Sequence, residues 1–184
     1  ELFRLAAPFD LQFIAHDPYL NETQARELNV ELVSLDELFL RSDILSINCQ
    51  LTESTRHIVS TEQLAMMKPT AYLINTARGP VVDQTALTKA LQEQRIAGAG
   101  LDVLETEPPP LEDPILQLDN VILTPHALCW TDQCFAGIGA ADVKAVLAVM
   151  QGQVPVGLVN QEVLEHPNWQ KKLANYRQRF VGNE

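Results

Sequence analysis

Arg78 in LINTARGPVVD, Glu107 in LDVLETEPPP and His126 in LTPHALCW are the residues of this chain best equipped for chemistry, and they stand 29 and 19 positions apart. A planar guanidinium captures a carboxylate and a neighbouring carbonyl oxygen through two parallel hydrogen bonds. An imidazole moves a proton near neutral pH, and a carboxylate beside it keeps it charged and fixes its tautomer. Anchor, acid and partner are together what reduction of a 2-oxo acid requires.

Three residues so far apart need a scaffold that brings them to one place. Short apolar runs alternate with helix-length amphipathic stretches, the pattern of an α/β chain whose parallel sheet is wrapped by helices. Strands are expected at 11–15, 43–48, 71–75, 99–103 and 121–124, and helices at 21–28, 35–41, 61–67, 84–94 and 138–150. Ser34 with Glu37 forms a capping-box pair, Asp83 caps the helix after it, and Pro69 stops the one before it. Gly98 and Gly100 let backbones approach closely, and Pro108–Pro110 with Pro114 make a stiff loop. In such sheets ligands bind beyond the carboxyl ends of the strands. Arg78, Asp102 and His126 each follow or end an expected strand.

Composition narrows the partners. A net charge of −11 offers nothing to follow a phosphate backbone or an anionic membrane, so nucleic acid and membrane partners are not expected. Cys49, Cys129 and Cys134 are odd in number and lack CxxC spacing, which argues against disulfides and a metal site and for a reducing cytoplasm. No uninterrupted apolar run approaches the roughly 18 residues of a membrane span.

The contexts of the three residues are an N-x-x-R-G-x-x-x-D stretch, an acidic residue directly before proline after L-D-V, and a P-H pair ending a strand. In these the chain resembles the NAD-dependent D-isomer-specific 2-hydroxyacid dehydrogenases, over about residues 1–157. The resemblance implies a Rossmann-type doubly wound parallel sheet, with Arg78 as substrate anchor, His126 as acid and base, and Glu107 as its partner. Glu105 is the obvious rival of Glu107, because ETEPPPLED holds four acidic residues and only the place before Pro108 and the interval to His126 favour Glu107. The cofactor implied is NAD. Asp17 would take the adenine ribose, Asp102 the nicotinamide carboxamide, and Cys49, Thr52, Thr76 and Ala77 align with further contacts, with Arg78 and His126 beside them. Without the resemblance, Asp17 before Pro18 reads as a turn starter. Asn48 and Gln50 depart from the histidine and proline of many members. Trp130 is a candidate wall of an apolar substrate pocket.

The same resemblance implies a small 2-oxo or 2-hydroxy acid substrate and a homodimer in the intact protein. It also implies a sheet truncated at the N-terminus, since the chain contains no GxGxxG and Leu11–Ala15 reads as the second strand of the order 3-2-1-4-5-6. The expected division is residues 1–155 as a nucleotide-binding domain lacking its first strand and 156–184 as a tail returning to a substrate domain. A chain of this extent is expected to be inactive alone. An NAD-binding corepressor-like protein, with a similar P-H-A segment and nearby tryptophan, is the alternative.

Overall fold

The computed structural model describes residues 1–180, in two compact units, one over Glu1–Leu128 and one from Cys129 on. The first unit runs α1 (Leu2–Ala6), β1 (Ile14–Ala15), α2 (Glu22–Glu27), β2 (Glu31–Leu32), α3 (Leu35–Arg41), β3 (Ile44–Ile47), α4 (Thr61–Met66), β4 (Tyr72–Asn75), α5 (Gln84–Gln92), β5 (Gly98–Leu101) and β6 (Val121–Leu123). Local chemistry sets the helix starts. Asn21 and Gln24 close a capping box on α2, and Ser34 and Glu37 close one on α3. The Asp83 carboxylate accepts the Ala86 N–H at 2.9 Å at the head of α5.

All strand pairs are parallel, and they form two sheets: β1 with β2, and β3-β4-β5-β6 in that order. The break between β1 and β3 is where the order 3-2-1-4-5-6 places its first strand. Within the larger sheet, Leu45, Ile47, Leu73, Ala99 and Leu101 are buried on one core with Phe39 of α3, Leu64 of α4 and Leu87 and Leu91 of α5. Gly98 is required for the fit of β5 on the chain entering β6, since a Cβ there would lie 2.7 Å from the Asn120 carbonyl oxygen.

Two elements differ most in their bounds from the sequence expectation, and β2 is a strand it did not include. The first strand is Ile14–Ala15 rather than 11–15, and β2 has only two residues, too few to leave an alternating pattern. The long helix of the second unit, α6, spans Asp132–Met150 rather than 138–150, because the Thr131 side chain caps it by accepting the Cys134 N–H at 3.2 Å.

The second unit pairs α6 with α7 (Pro167–Phe180). Gly152 ends α6 with φ +69, and its carbonyl oxygen accepts a hydrogen bond from Arg177 Nη2 at 2.9 Å. The compact units divide after Leu128, ahead of the boundary at 155 that the resemblance implies. By length and composition alone, α6 is long and apolar enough to cross a membrane, with a mean hydropathy of 1.4 over an 18-residue window. No uninterrupted apolar run marks it in the sequence, because Asp142 and Lys144 break the run while its alanines and valines keep the mean high.

Leu73, at the middle of the larger sheet, is fully buried. Leu73→Ala is expected to lower stability by about 2–5 kcal/mol, read from denaturant unfolding; a loss below about 1 kcal/mol would mean that this sheet is not the core of the unit.

Candidate active site

The larger sheet sends its chain out at the carboxyl ends of four adjacent strands, and most of the candidate residues lie there. Cys49 and Thr52 follow β3, Thr76, Ala77 and Arg78 follow β4, Asp102 follows β5 directly, and His126 follows β6 by three residues. Asp17 stands in the same position after β1. Within the larger sheet parallel strands guarantee this clustering, because every strand ends at the same side of the sheet; Asp17 belongs to the smaller one.

Two of the three residues with chemistry are in contact: His126 Nδ1 lies 2.7 Å from Glu107 Oε2. Glu107 is itself fixed, since its Oε1 accepts the Leu104 N–H at 2.8 Å. Glu105 does not compete for His126. Its Oε1 is bonded to His57 Nε2, and its Oε2 accepts the Gln84 N–H at 3.2 Å. Partial burial pushes the Glu107 carboxyl up, but the His126 hydrogen bond, the Leu104 N–H and the His126 charge outweigh it and hold the group below the usual carboxylate range.

His126 has the left-handed backbone angle φ +54, which costs a side-chain-bearing residue about 1–2 kcal/mol. Asp102 makes that turn hold. Its buried carboxylate accepts the Thr124 hydroxyl at 2.6 Å and the Ala127 N–H at 3.0 Å on Oδ1, and the Leu128 N–H at 3.3 Å on Oδ2. Burial pushes the Asp102 carboxyl up, and these three donors more than reverse it, leaving it below the usual range. A carboxylate has about four lone-pair sites. Three are engaged here, two on Oδ1 and one on Oδ2.

Arg78 is exposed, with Nη1 donating to the Ala77 carbonyl at 2.6 Å. Its turn is braced from below by Asn75, 1% exposed, which takes the Ala77 N–H at 3.0 Å and donates to the Arg78 carbonyl at 3.1 Å. Gly79 brings this turn against the Glu107 loop: a Cβ at Gly79 would lie 1.9 Å from the Leu104 carbonyl oxygen. Asn75, Thr124 and Glu105 carry the geometry, yet no role was assigned to the first two from sequence. Both are polar residues at the end of an apolar strand, and Asn75 is also the first residue of the N-x-x-R-G stretch.

The remaining candidates are placed without a shared contact. Asp17 is exposed, its Oδ1 accepting the Tyr19 N–H at 2.8 Å in the turn that its place before Pro18 suggests. Thr52 Oγ1 accepts the Thr55 N–H at 3.2 Å while Thr55 Oγ1 accepts the Thr52 N–H at 2.7 Å. Partial burial pushes the Cys49 thiol up, which disfavours a thiolate nucleophile. Trp130 belongs to the second unit, where its ring stacks in a tilted pair with Phe135 at 6.2 Å. No group of three or more potential metal ligands occurs among the described residues.

Residues 1–127 match the family described as D-isomer specific 2-hydroxyacid dehydrogenase, NAD binding domain. The chain belongs to this family. A glyoxylate reductase of Korarchaeum cryptofilum is 45% identical over 162 residues, 88% of this chain and 49% of that protein. A D-3-phosphoglycerate dehydrogenase of Methanocaldococcus jannaschii is 38% identical over 161 residues, 87% of this chain and 30% of that protein. The solved D-lactate dehydrogenase of Aquifex aeolicus, complexed with NAD and lactic acid, superposes with a TM-score of 0.75 at 36% identity, covering 82% of this chain and 50% of that one. The chain thus spans about half the length, or less, of these 2-hydroxyacid dehydrogenases. NAD is the cofactor of the family domain it carries.

A carboxyl whose folded pKa is depressed contributes stability that is complete above its unfolded pKa and is lost as the pH falls through the folded value. Asp102→Asn is therefore expected to cost about 1–3 kcal/mol near neutral pH, and the difference from the parent chain to shrink below about pH 4. Unfolding midpoints across this range check it. A difference independent of pH would remove the Asp102 charge from the account.

Proposed function

We propose that the complete protein interconverts a small 2-oxo acid and its 2-hydroxy acid, with Arg78 as anchor, His126 as acid and base and Glu107 as the partner of His126. The observation that carries this reading is the 2.7 Å contact between Glu107 and His126 on the strand-end surface that also presents Arg78.

The chemistry follows from which atoms are committed. Glu107 occupies His126 Nδ1, so Nε2 is the nitrogen that faces substrate and gives a proton to the carbonyl oxygen during reduction. The carboxylate also stabilises the charged imidazole before transfer and fixes the tautomer afterwards. The exposed Arg78 fork binds the substrate carboxylate in two parallel bonds, which orients the neighbouring carbonyl. NAD(H) supplies or accepts the hydride when bound. Its ribose hydroxyls suit the Oδ2 that the Asp17 turn leaves unused, and the remaining lone pair of Asp102 suits a carboxamide donor. Thr76, Ala77, Cys49 and Thr52 lie along the same strand ends. The negative charge of Asp17 favours NAD over a 2′-phosphorylated cofactor.

The substrate class is proposed on the likeness to proteins named glyoxylate reductase, and the same likeness favours a dehydrogenase over the corepressor-like alternative. The test is NADH oxidation by the full-length protein with glyoxylate, hydroxypyruvate and pyruvate. His126→Ala is expected to lower turnover by about 10²- to 10⁴-fold, and Arg78→Lys to raise KM for the 2-oxo acid because an ammonium cannot form the paired bonds. Turnover that survives His126→Ala unchanged would contradict the assignment.

A further inference from the structure

We propose that Glu105 is a positioning residue that locks the turn carrying Glu107 to the turn carrying Arg78, with His57 and Gln84 as its two grips. The inference rests on the catalytic reading above and adds to it a residue outside the three that act on substrate.

Three chain segments meet at Glu105. The first is the stretch at His57–Val59, the second the turn and helix head at Arg78–Gln84, and the third the loop at Leu104–Glu107. The first two are sewn together by backbone bonds: His57 N–H to Pro80 O at 2.9 Å, Val59 N–H to Val81 O at 3.2 Å, and Asp83 N–H to Val59 O at 2.9 Å. The third carries the carboxylate that touches His126, and no backbone–backbone hydrogen bond ties it to either of the others. Apart from its continuity with β5, its hydrogen-bonded attachment to them runs through Glu105. One carboxylate oxygen bonds His57 Nε2 and the other accepts the Gln84 N–H, while the Glu105 N–H donates to Gln84 Oε1 at 2.9 Å.

The chemistry of the grips suits a rigid joint. Gln84 opens α5, so the N–H that Glu105 accepts is one of the helix-start donors without a partner inside the helix. A carboxylate is favoured there by the helix dipole. The Gln84 side chain is in turn fixed, its Nε2 donating to Asp113 Oδ2 at 2.7 Å. His57 holds a left-handed φ of +52 in a turn where its N–H bonds Pro80 O and its ring meets Glu105. The joint is close-packed, with a Gly79 Cβ excluded by the Leu104 carbonyl and a cavity of only about 10 Å³ beneath it. Releasing the Glu105 carboxylate would therefore let the proline-flanked loop shift relative to the Arg78 turn and loosen the Glu107–His126 contact that the loop carries.

Two readouts separate this inference from the catalytic reading. The first is the titration of the Glu107 carboxyl by carbon NMR, which needs no turnover. In Glu105→Ala the Glu107 pKa is expected to rise toward the ordinary carboxylate value, and in Glu105→Gln, which keeps an oxygen for the Gln84 N–H, to stay near that of the parent. The second is turnover by the full-length protein, where Glu105→Ala is expected to lower kcat about 10- to 100-fold, with the KM for NADH unchanged and activity largely restored in Glu105→Gln. His57→Asn tolerates the left-handed backbone but cannot reach Glu105. It is expected to move both readouts in the same direction by less, and it serves if Glu105→Ala does not fold. An unaltered Glu107 titration in both Glu105→Ala and His57→Asn overturns the inference, whatever the turnover. A parent protein without 2-oxo acid turnover, in which the Glu107 titration still responds to Glu105, sinks the catalytic reading and leaves the joint standing.

Discussion

The buried carboxylate of Asp102 is the constraint on which the site depends. It stands at the end of β5 and binds three donors from the chain leaving β6, the Thr124 hydroxyl and the Ala127 and Leu128 N–H groups. Those bonds offset the cost of the left-handed backbone at His126 and turn its ring toward Glu107. An unpaired carboxylate in that position would be expelled from the core or neutralised, so the turn and the charge hold each other in place.

The sheet makes this possible before any side chain acts. Parallel strands deliver their ends to a single surface, and the close approach allowed by Gly79 brings the Arg78 turn against the loop that carries Glu107. Each functional side chain is then supported by a polar residue that does not itself meet substrate: Asn75 under the Arg78 turn, Asp102 under His126, and Glu105 beside Glu107. Rigid strands thus carry the support, and the loops carry only the last few ångströms of placement.

Much of this was legible in the residues. The starts of α3 and α5 followed from Ser34 and Asp83, and the strands of the larger sheet from apolar runs of four to six residues. The order of those strands, with its break between β1 and β3, followed from the resemblance. What could not be read was any role fixed by a distant partner. The acidic run ETEPPPLED offers Glu105 and Glu107 on similar chemical terms; the place before Pro108 and the interval to His126 favoured Glu107, but only the folded chain shows that Glu105 meets His57. His57 is exposed and carries no local sign of its role, because its partner lies 48 positions away. Asp102 was read through the cofactor alone, since the donors that surround it come from a different strand. β2 was too short for a periodic signal, and the early start of α6 depends on a single cap at Thr131.

The claim that Asp102 pins the turn bearing His126 is tested most directly by hydrogen exchange at the Ala127 and Leu128 amides. With the bonds in place, both amides, although they lie in an irregular loop, are expected to exchange far more slowly than exposed loop amides, and Asp102→Ala is expected to abolish that protection while the amides of β4 keep theirs. Exchange at the rate of an unstructured loop in the parent chain, or protection that survives the loss of Asp102, would contradict the account.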